Sequence, residues 1–458
     1  MPGVAAVVLA AGLGKRMKSK LPKVLHQVGG QPMVQHVLDA LNTAGIGDAV
    51  LVIGHGADLV KEVLGPAFSY ARQEQQLGTG HAVMQAEGSI GADCNTVMVV
   101  CGDTPLLRGE TLRMLLERHR ESQAAATVLS AVFPEPTGYG RIIRDQSGNL
   151  DRIVEEKDAA PDEKRINEGN TGTYCFDREQ LFSALSQVMP NNVQGEYYLT
   201  DVLKILRERG KKVQAVALAE AEEALGINSR RQLAEVDGII RERVRERLME
   251  EGVSIVDPRT TYIDAGVMIE PDTVIYPFTF IEGKSVIGSD CRIGPFTRVV
   301  DSRIGKGTVV RNSVMLESEV GENCDIGPFS YLRPLTRLSD KVKVGDFVEI
   351  KKSTVGRGSK IPHLSYVGDA TLGEGVNIGA GTITCNYDGV NKYPTVVEDG
   401  AFIGSNTNLV APVTIGANAV TGAGSTITKD VPEGSLAVER APQKNIPQWK
   451  TRVKPDKQ

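Results

Sequence analysis

Two groups of residues in this 458-residue chain have the types and spacing needed for group transfer. The first opens with Leu9-Ala10-Ala11-Gly12-Leu13-Gly14-Lys15-Arg16-Met17, a glycine-bearing turn after an apolar run. Glycines at such a turn let backbone N–H groups approach a phosphate, and Arg16 adds a charged fork. Met17 stands where a dinucleotide fingerprint would carry its third glycine, and the Gly-Lys-Ser/Thr ending of a P-loop is missing. Leu21-Pro22-Lys23 then presents Lys23 from a rigid turn. In Cys101-Gly102-Asp103-Thr104-Pro105, Asp103 closes a second apolar run. That is a suitable place for a Mg²⁺ ligand, because Mg²⁺ takes one or two protein oxygens and completes its shell with phosphates. Asn228 can supply a second oxygen or cap the helix that follows it, and both roles can hold. The second group is Arg333, Lys351, His363 and Tyr366. It combines two cations, a phenol and an imidazole able to act as general base. Singly, each residue has a plainer role as turn former, solvated side chain or satisfied surface histidine.

The elements that must position these residues differ between the two halves. Up to about residue 226, short β-branched runs (Val4–Leu9, Ala49–Ile53, Val97–Val100) alternate with helix-like segments such as Met33–Ala44 and Glu110–Glu121. Alternation of this kind predicts a Rossmann-like α/β domain with a mainly parallel sheet, whose ligands lie beyond the carboxyl ends of the strands. Asn228 to Glu251 reads as one amphipathic helix, with Leu233, Val236, Ile240, Val244 and Leu248 on one face. Asn228 or Ser229 is the expected N-cap, and Gly252 follows the last turn. From Gly252 onward an aliphatic residue recurs about every six positions, often before glycine, as in Ile287-Gly288, Ile326-Gly327, Ile378-Gly379 and Ile403-Gly404. A six-residue period predicts a parallel β-helix of triangular section, at roughly eighteen residues per coil and about ten coils. Thr384 to Glu398, with Cys385-Asn386-Tyr387-Asp388-Gly389 and Tyr393-Pro394, breaks the period and reads as a loop thrown out of one coil. The expected domains are therefore 1–227, a linker helix over 228–251, the β-helix over 252–440 and a tail over 441–458 that carries the single tryptophan, Trp449.

The glycine turn followed by Leu21-Pro22-Lys23, with Leu77-Gly78-Thr79-Gly80-His81-Ala82 and Cys101-Gly102-Asp103, resembles the signature of sugar-phosphate nucleotidyltransferases. With the hexapeptide half and the Asn386-Tyr387 loop included, the whole chain from about residue 4 to 440 resembles one family. This is the bacterial bifunctional N-acetylglucosamine-1-phosphate uridyltransferase / glucosamine-1-phosphate acetyltransferase. The resemblance implies acetyl transfer from acetyl-CoA to glucosamine 1-phosphate in the C-terminal domain. Uridylyl transfer from UTP to N-acetylglucosamine 1-phosphate, with loss of pyrophosphate, follows in the N-terminal domain. It further implies that Leu9, Ala10, Ala11, Gly12, Gln73, Gly78 and Thr79, with Cys101 and Gly102, surround the nucleotide. Gly140, Glu155 and Asn170 would hold the sugar, Asp103 and Asn228 the Mg²⁺, and Arg16 and Lys23 would supply catalytic charge. In the acetyltransferase, Arg333 and Lys351 would bind the sugar phosphate, Tyr366 and Asn377 the sugar, and His363 would deprotonate the amine. Asn386 and Tyr387 would line that site, with Ala380, Ser405, Ala423 and Arg440 along the acetyl-CoA groove. The β-helix is expected to be left-handed on this resemblance alone, against the general preference for right-handed crossovers. A homotrimer is implied, with the coenzyme groove between parallel solenoids and with His363 and the coenzyme residues drawn from different subunits. One departure is local: Cys101 stands where many relatives carry tyrosine, which touches the packing beside Asp103 and not the ligand itself.

Composition sets the outer bounds. A hydrophobic fraction of 41% and a charged fraction of 24% are those of a globular protein, and a net charge of −5 argues against a general nucleic-acid binder. No apolar run is long enough to span a membrane, and Val4 to Ala11 lacks the basic flank of a signal peptide. The six cysteines form no CxxC pair, which fits a cytoplasmic protein. Two rivals remain open at this stage. One is a single-activity nucleotidyltransferase whose β-helix only assembles or regulates the oligomer; the Arg333, Lys351, His363, Tyr366 group argues against it. The other is a noncatalytic exchange-factor subunit, which would not need intact Arg16, Lys23 and Asp103.

Overall fold

The computed structural model describes residues 3–449, so Pro455 and the last lysines of the expected tail lie outside the described residues. The chain divides into two compact units between Ile240 and Arg241. That point lies inside the helix Arg230–Glu250, which the sequence places at 228–251. The helix starts after Ser229 because the Ser229 hydroxyl accepts from the Gln232 N–H at 3.3 Å, while the Gln232 side chain accepts from the Asn228 N–H at 2.9 Å. This reciprocal cap settles the choice of N-cap in favour of Ser229 and leaves the Asn228 side chain for another partner.

In the first unit, one sheet runs in the order Val213–Ala217, Ala126–Val132, Glu168–Asp177, Thr96–Cys101, Val4–Ala10, Ala49–Ile53, Ser69–Arg72. Val4–Ala10 pairs in parallel with both neighbours and is covered on both faces, which is why it reads as an unbroken apolar run and not an alternating one. Glu168–Asp177 runs antiparallel between Thr96–Cys101 and Ala126–Val132, making the sheet mixed but mostly parallel. Its register shifts between Asn170 and Tyr174, and this irregularity brings Asn170 to Gly172 beside the carboxyl end of Thr96–Cys101. The glycine turn, Asp103 and Asn170 thus gather at one end of the sheet.

The second unit is built from three parallel sheets of eleven, ten and nine short strands, visited in rotation as the chain coils. This is the three-sided β-helix that the hexad period predicts. Ile275 pairs with Ile293, Ile293 with Val310 and Val310 with Ile326, so each inward aliphatic stacks on its equivalent one coil on. All four are fully buried. Buried hydroxyls tie the corners: Thr308 donates to the Gly321 carbonyl at 2.9 Å and accepts from the Cys324 N–H at 3.0 Å. One coil is longer, because Leu372 pairs with Val397 while Val355 pairs with Leu372. The extra length is the loop after Ile383–Cys385, closed by a bridge between Tyr387 and Lys392.

Candidate active sites

In the first unit two cavities adjoin at the strand ends. One, of about 400 Å³, is lined by Leu9, Ala10, Ala11, Gly12, Lys23, Gln73, Gly78 and Thr79 among others. The other, of about 250 Å³, is lined by residues that include Arg16, Gly140, Glu155, Asn170 and Asn228. Leu9, Thr79, Cys101 and Asp103 line both. Gly102 lines neither: it is buried between Cys101 and Asp103 and donates its N–H to the Leu9 carbonyl at 2.9 Å. The structure therefore brings the expected residues of this half, Gly102 apart, to the lining of one double concavity.

Charge is concentrated where the cavities meet. The Lys23 ammonium pairs with the Asp103 carboxylate and also donates to Asn228 Oδ1 at 2.6 Å. Two hard oxygens from residues far apart in the chain thus converge on one cationic group, which is the donor chemistry a Mg²⁺ ion takes. The residues fit that ion, with phosphates left to fill most of its shell. Gly14, at φ 58, is held in the left-handed region, and a Cβ there would come within 2.9 Å of Lys23 Cβ, so the glycine turn packs directly on the lysine. In the second cavity burial raises the Glu155 carboxyl, although the Thr200 hydroxyl donates to it at 3.1 Å. Burial also pushes the Cys101 thiol up to about 12, so the residue behaves as a small apolar wall. A Cβ on Gly172 would approach its sulfur to 2.8 Å, so glycine opposite Cys101 accommodates that side chain.

On the β-helix, coil register performs the assembly. Tyr331–Leu332 pairs with Glu349–Lys351, so Arg333 and Lys351 follow one another on successive coils of one face. Tyr366 lies on the next coil of that face, paired with Glu349. A Cβ on Gly368 would sit 2.3 Å from the Tyr366 hydroxyl, which shows that the ring folds across the glycine. His363 ends a strand at the adjoining corner, in register with Asp346, and its Nδ1 lies 2.7 Å from Asp346 Oδ1. The imidazole beside Asp346 holds that carboxyl below the usual range. The pairs Lys360–Asn377, Ile378–Ile403 and Ile403–Thr421 set Ala380, Ser405 and Ala423 on successive coils in the same column as His363. Arg440 reaches this column by donating to the Ala423 carbonyl at 2.8 Å. Asn377 lies on the same face one coil after Lys360. Asn386 donates to Asp369 Oδ2 at 2.6 Å, fixing the root of the extruded loop, while Tyr387 is exposed on it.

Two residues escaped the sequence reading. Asp346 had no motif around it, and only the pairing across coils reveals it as the partner of His363. Lys392, carried by the extruded loop, reaches the Lys351 ammonium and pulls it below its ordinary value. Three cations, Arg333, Lys351 and Lys392, are thereby grouped, a cost that a bound anion would relieve. His363 and the Ser405 and Ala423 column are exposed on the single chain, so this site is an open edge, unlike the cavities of the first unit. Among the described residues no cluster of three or more His, Cys, Asp or Glu could hold a metal, and no helix is long and apolar enough to cross a membrane.

Known proteins resemble both halves. A model described as a MobA-like NTP transferase domain matches residues 6–161. A GMPPB C-terminal domain model matches 261–355, and a bacterial transferase hexapeptide model matches 394–429. A protein of Heliobacterium modesticaldum named bifunctional protein GlmU is 60% identical over 96% of this chain and 96% of its own length. Proteins of the same name from Syntrophomonas wolfei and Halalkalibacterium halodurans are 56% and 54% identical, over 97% and 98% of this chain and 99% and 98% of theirs. Identity of this level over nearly the whole length of each protein means that the chain belongs to the bifunctional GlmU family.

Proposed function

We propose that the chain makes an activated amino sugar in two steps. Its β-helix acetylates glucosamine 1-phosphate with acetyl-CoA, and its first unit then joins N-acetylglucosamine 1-phosphate to UTP, releasing pyrophosphate. The observation that carries this reading is the double cavity: two rooms suited to two substrates, sharing Asp103 where their phosphates would meet.

UTP would lie against Leu9 to Gly12, Gln73, Gly78 and Thr79, and the sugar against Gly140, Glu155 and Asn170. Asp103 and Asn228 would hold Mg²⁺, which when bound neutralises charge on the phosphate oxygens. Arg16 and Lys23 bring further cations to the same oxygens. The sugar-phosphate oxygen attacks the α-phosphorus, the bond to the β-phosphate oxygen breaks, and pyrophosphate leaves with the electron pair. The chain's contribution is position and charge, as in other phosphoryl-type transfers.

In the second unit Arg333 and Lys351, with Lys392 beside them, would grip the phosphate, while Tyr366 and Asn377 position the ring. Asp346 accepts Nδ1–H of His363 and leaves Nε2 with its lone pair outward. Nε2 takes a proton from the sugar amine as its nitrogen attacks the thioester carbonyl. The C–S bond then breaks, and the coenzyme thiolate leaves and recovers the proton. Acetyl-CoA would run along Ala380, Ser405 and Ala423, with Asn386, Tyr387 and Arg440 at its sides. The small side chains of that column leave room for a ligand.

We further propose a homotrimer in which a neighbouring copy supplies the second wall of this open edge. Support comes from the corner beside His363, where Phe278, Phe296, Phe329, Phe347 and Leu364 are all exposed, and Phe329 stacks on Phe347 at 5.4 Å. Each has positive φ, a conformation that costs a bulky residue about 1 kcal/mol or more. An apolar column kept at that cost is suited to burial against another copy. Free cysteines throughout fit a reducing cytoplasm.

The test is to incubate the purified protein with glucosamine 1-phosphate, acetyl-CoA, UTP and Mg²⁺, omitting one component at a time and identifying products by mass. Loss of all products without acetyl-CoA, and accumulation of N-acetylglucosamine 1-phosphate without UTP, are expected. An unacetylated uridylyl product as the sole outcome would rule the reading out.

A further inference from the structure

We infer that His81 sets the base preference of the nucleotide cavity by fixing which end of the Gln73 amide faces it. This rests on the reading of that cavity as the nucleotide's. Gln73 is 3% exposed, and its backbone N–H donates to the Ile53 carbonyl at 2.8 Å. Its side-chain Nε2 lies 3.1 Å from the Gly78 carbonyl and 3.0 Å from His81 Nδ1. A carbonyl can only accept, so the group facing Gly78 is the NH₂ end of the amide. The second amide hydrogen then points at Nδ1, which accepts it through its lone pair. Both hydrogens are committed, and Oε1 is the polar atom left for a ligand.

The frame around this amide is stiff. Gly78 has φ +110, and a Cβ there would come 2.6 Å from the Tyr197 carbonyl. That carbonyl accepts from the Gly80 N–H at 2.8 Å, the Leu77 carbonyl accepts from the Tyr197 N–H at 2.8 Å, and the Thr79 hydroxyl accepts from the Leu199 N–H at 3.1 Å. His81 belongs to the first turn of the helix Thr79–Ala86, and its ring leans on Tyr197 at 6.3 Å.

A fixed acceptor complements a ring N–H, such as N3–H of uracil, and opposes the N3 lone pair of cytosine. Without His81 one amide hydrogen is released and can turn toward the base, so an acceptor on the base is tolerated. His81 is thus a positioning residue, two steps removed from the reacting phosphorus.

The experiment compares kcat/KM for UTP and CTP, with N-acetylglucosamine 1-phosphate and Mg²⁺, in the full-length protein and two variants. His81→Phe keeps a ring but removes the acceptor, and the UTP/CTP ratio should fall about tenfold or more. His81→Asn places Oδ1 where Nδ1 stood and should keep the ratio within about threefold of the parent. A thermal-unfolding midpoint of the first unit close to the parent's reports folding, and His81→Leu replaces His81→Phe if that variant fails to fold. An unchanged ratio in the acceptor-less variant, or an equal fall in His81→Asn, overturns the inference. A parent protein that forms no nucleotide sugar from UTP would instead sink the assignment of the cavity, and this inference with it.

Discussion

The two units solve the same problem, gathering residues distant in sequence, by opposite means. In the first unit the site residues come from several strand ends and loops, and contacts specific to that site hold them together, as Lys23 does between Asp103 and Asn228. In the second unit one rule does the work: each coil sets its residues above those of the last, so Arg333 and Lys351, or His363 and Ala380, align by register. The first design yields concave clefts with buried ionisable groups such as Glu155. The second yields an exposed edge whose chemistry depends on what is stacked along it. A loop-built site can therefore be lost through one contact, whereas a register-built site tolerates change except where a side chain itself does chemistry.

The largest effects should separate the units outright. Asp103→Ala should abolish nucleotide-sugar formation and leave acetyl transfer within about twofold, and His363→Ala should cut acetyl transfer about 10²- to 10⁴-fold while sparing the other step. Steady-state assays of both activities on each variant decide this, and loss of both in either would break the comparison. A smaller effect is expected from Asp346→Asn, which keeps the shape but no longer holds His363 in one tautomer. Acetyl transfer should fall about 10- to 100-fold, mainly in kcat. An unchanged kcat would make the pair a surface contact and no more. Gly368→Ala sharpens the register argument, since the added methyl collides with Tyr366. KM for glucosamine 1-phosphate should rise several-fold, about a kcal/mol of binding, with the fold intact by circular dichroism.

The smallest effect concerns acid stability and again splits the units. His119 is 4% exposed, bonded to the Thr127 hydroxyl at 2.9 Å, and burial pushes it down to about 4. His26 and His36 shift the same way, chiefly through desolvation. A histidine neutral in the fold but protonated in the unfolded chain draws stability away as pH falls from its ordinary value of 6.5 toward 4. Urea unfolding at pH 7 and pH 5 should show the first unit's midpoint dropping more than the second's, and His119→Gln should reduce the difference. Equal shifts in both units would contradict the assignment.

How much the sequence disclosed follows from the same contrast. The β-helix was legible because its period repeats, and Ile275, Ile293 and Val310 announce the same inward position coil after coil. The strand ends of the first unit were legible as well, since Val4–Ala10 and Thr96–Cys101 each run straight into a motif. Contacts that cross between motifs were not. Nothing around His81 signals Gln73, and the pairing of Asp346 with His363 stays hidden because coils vary in length, so no fixed spacing locates it. Asn228 showed two competing roles, and only the position of Ser229 against Gln232 divides them.

On the proposed reading the two sites are chemically separate, the second being finished by a neighbouring copy, and only a diffusing intermediate joins them. The most direct test mixes the purified Asp103→Ala and His363→Ala proteins with glucosamine 1-phosphate, acetyl-CoA, UTP and Mg²⁺. Each protein alone should make no UDP-N-acetylglucosamine, and the mixture should make it steadily, after a lag while N-acetylglucosamine 1-phosphate builds up. A mixture that stays silent, although each variant retains its own half-reaction, would contradict that reading.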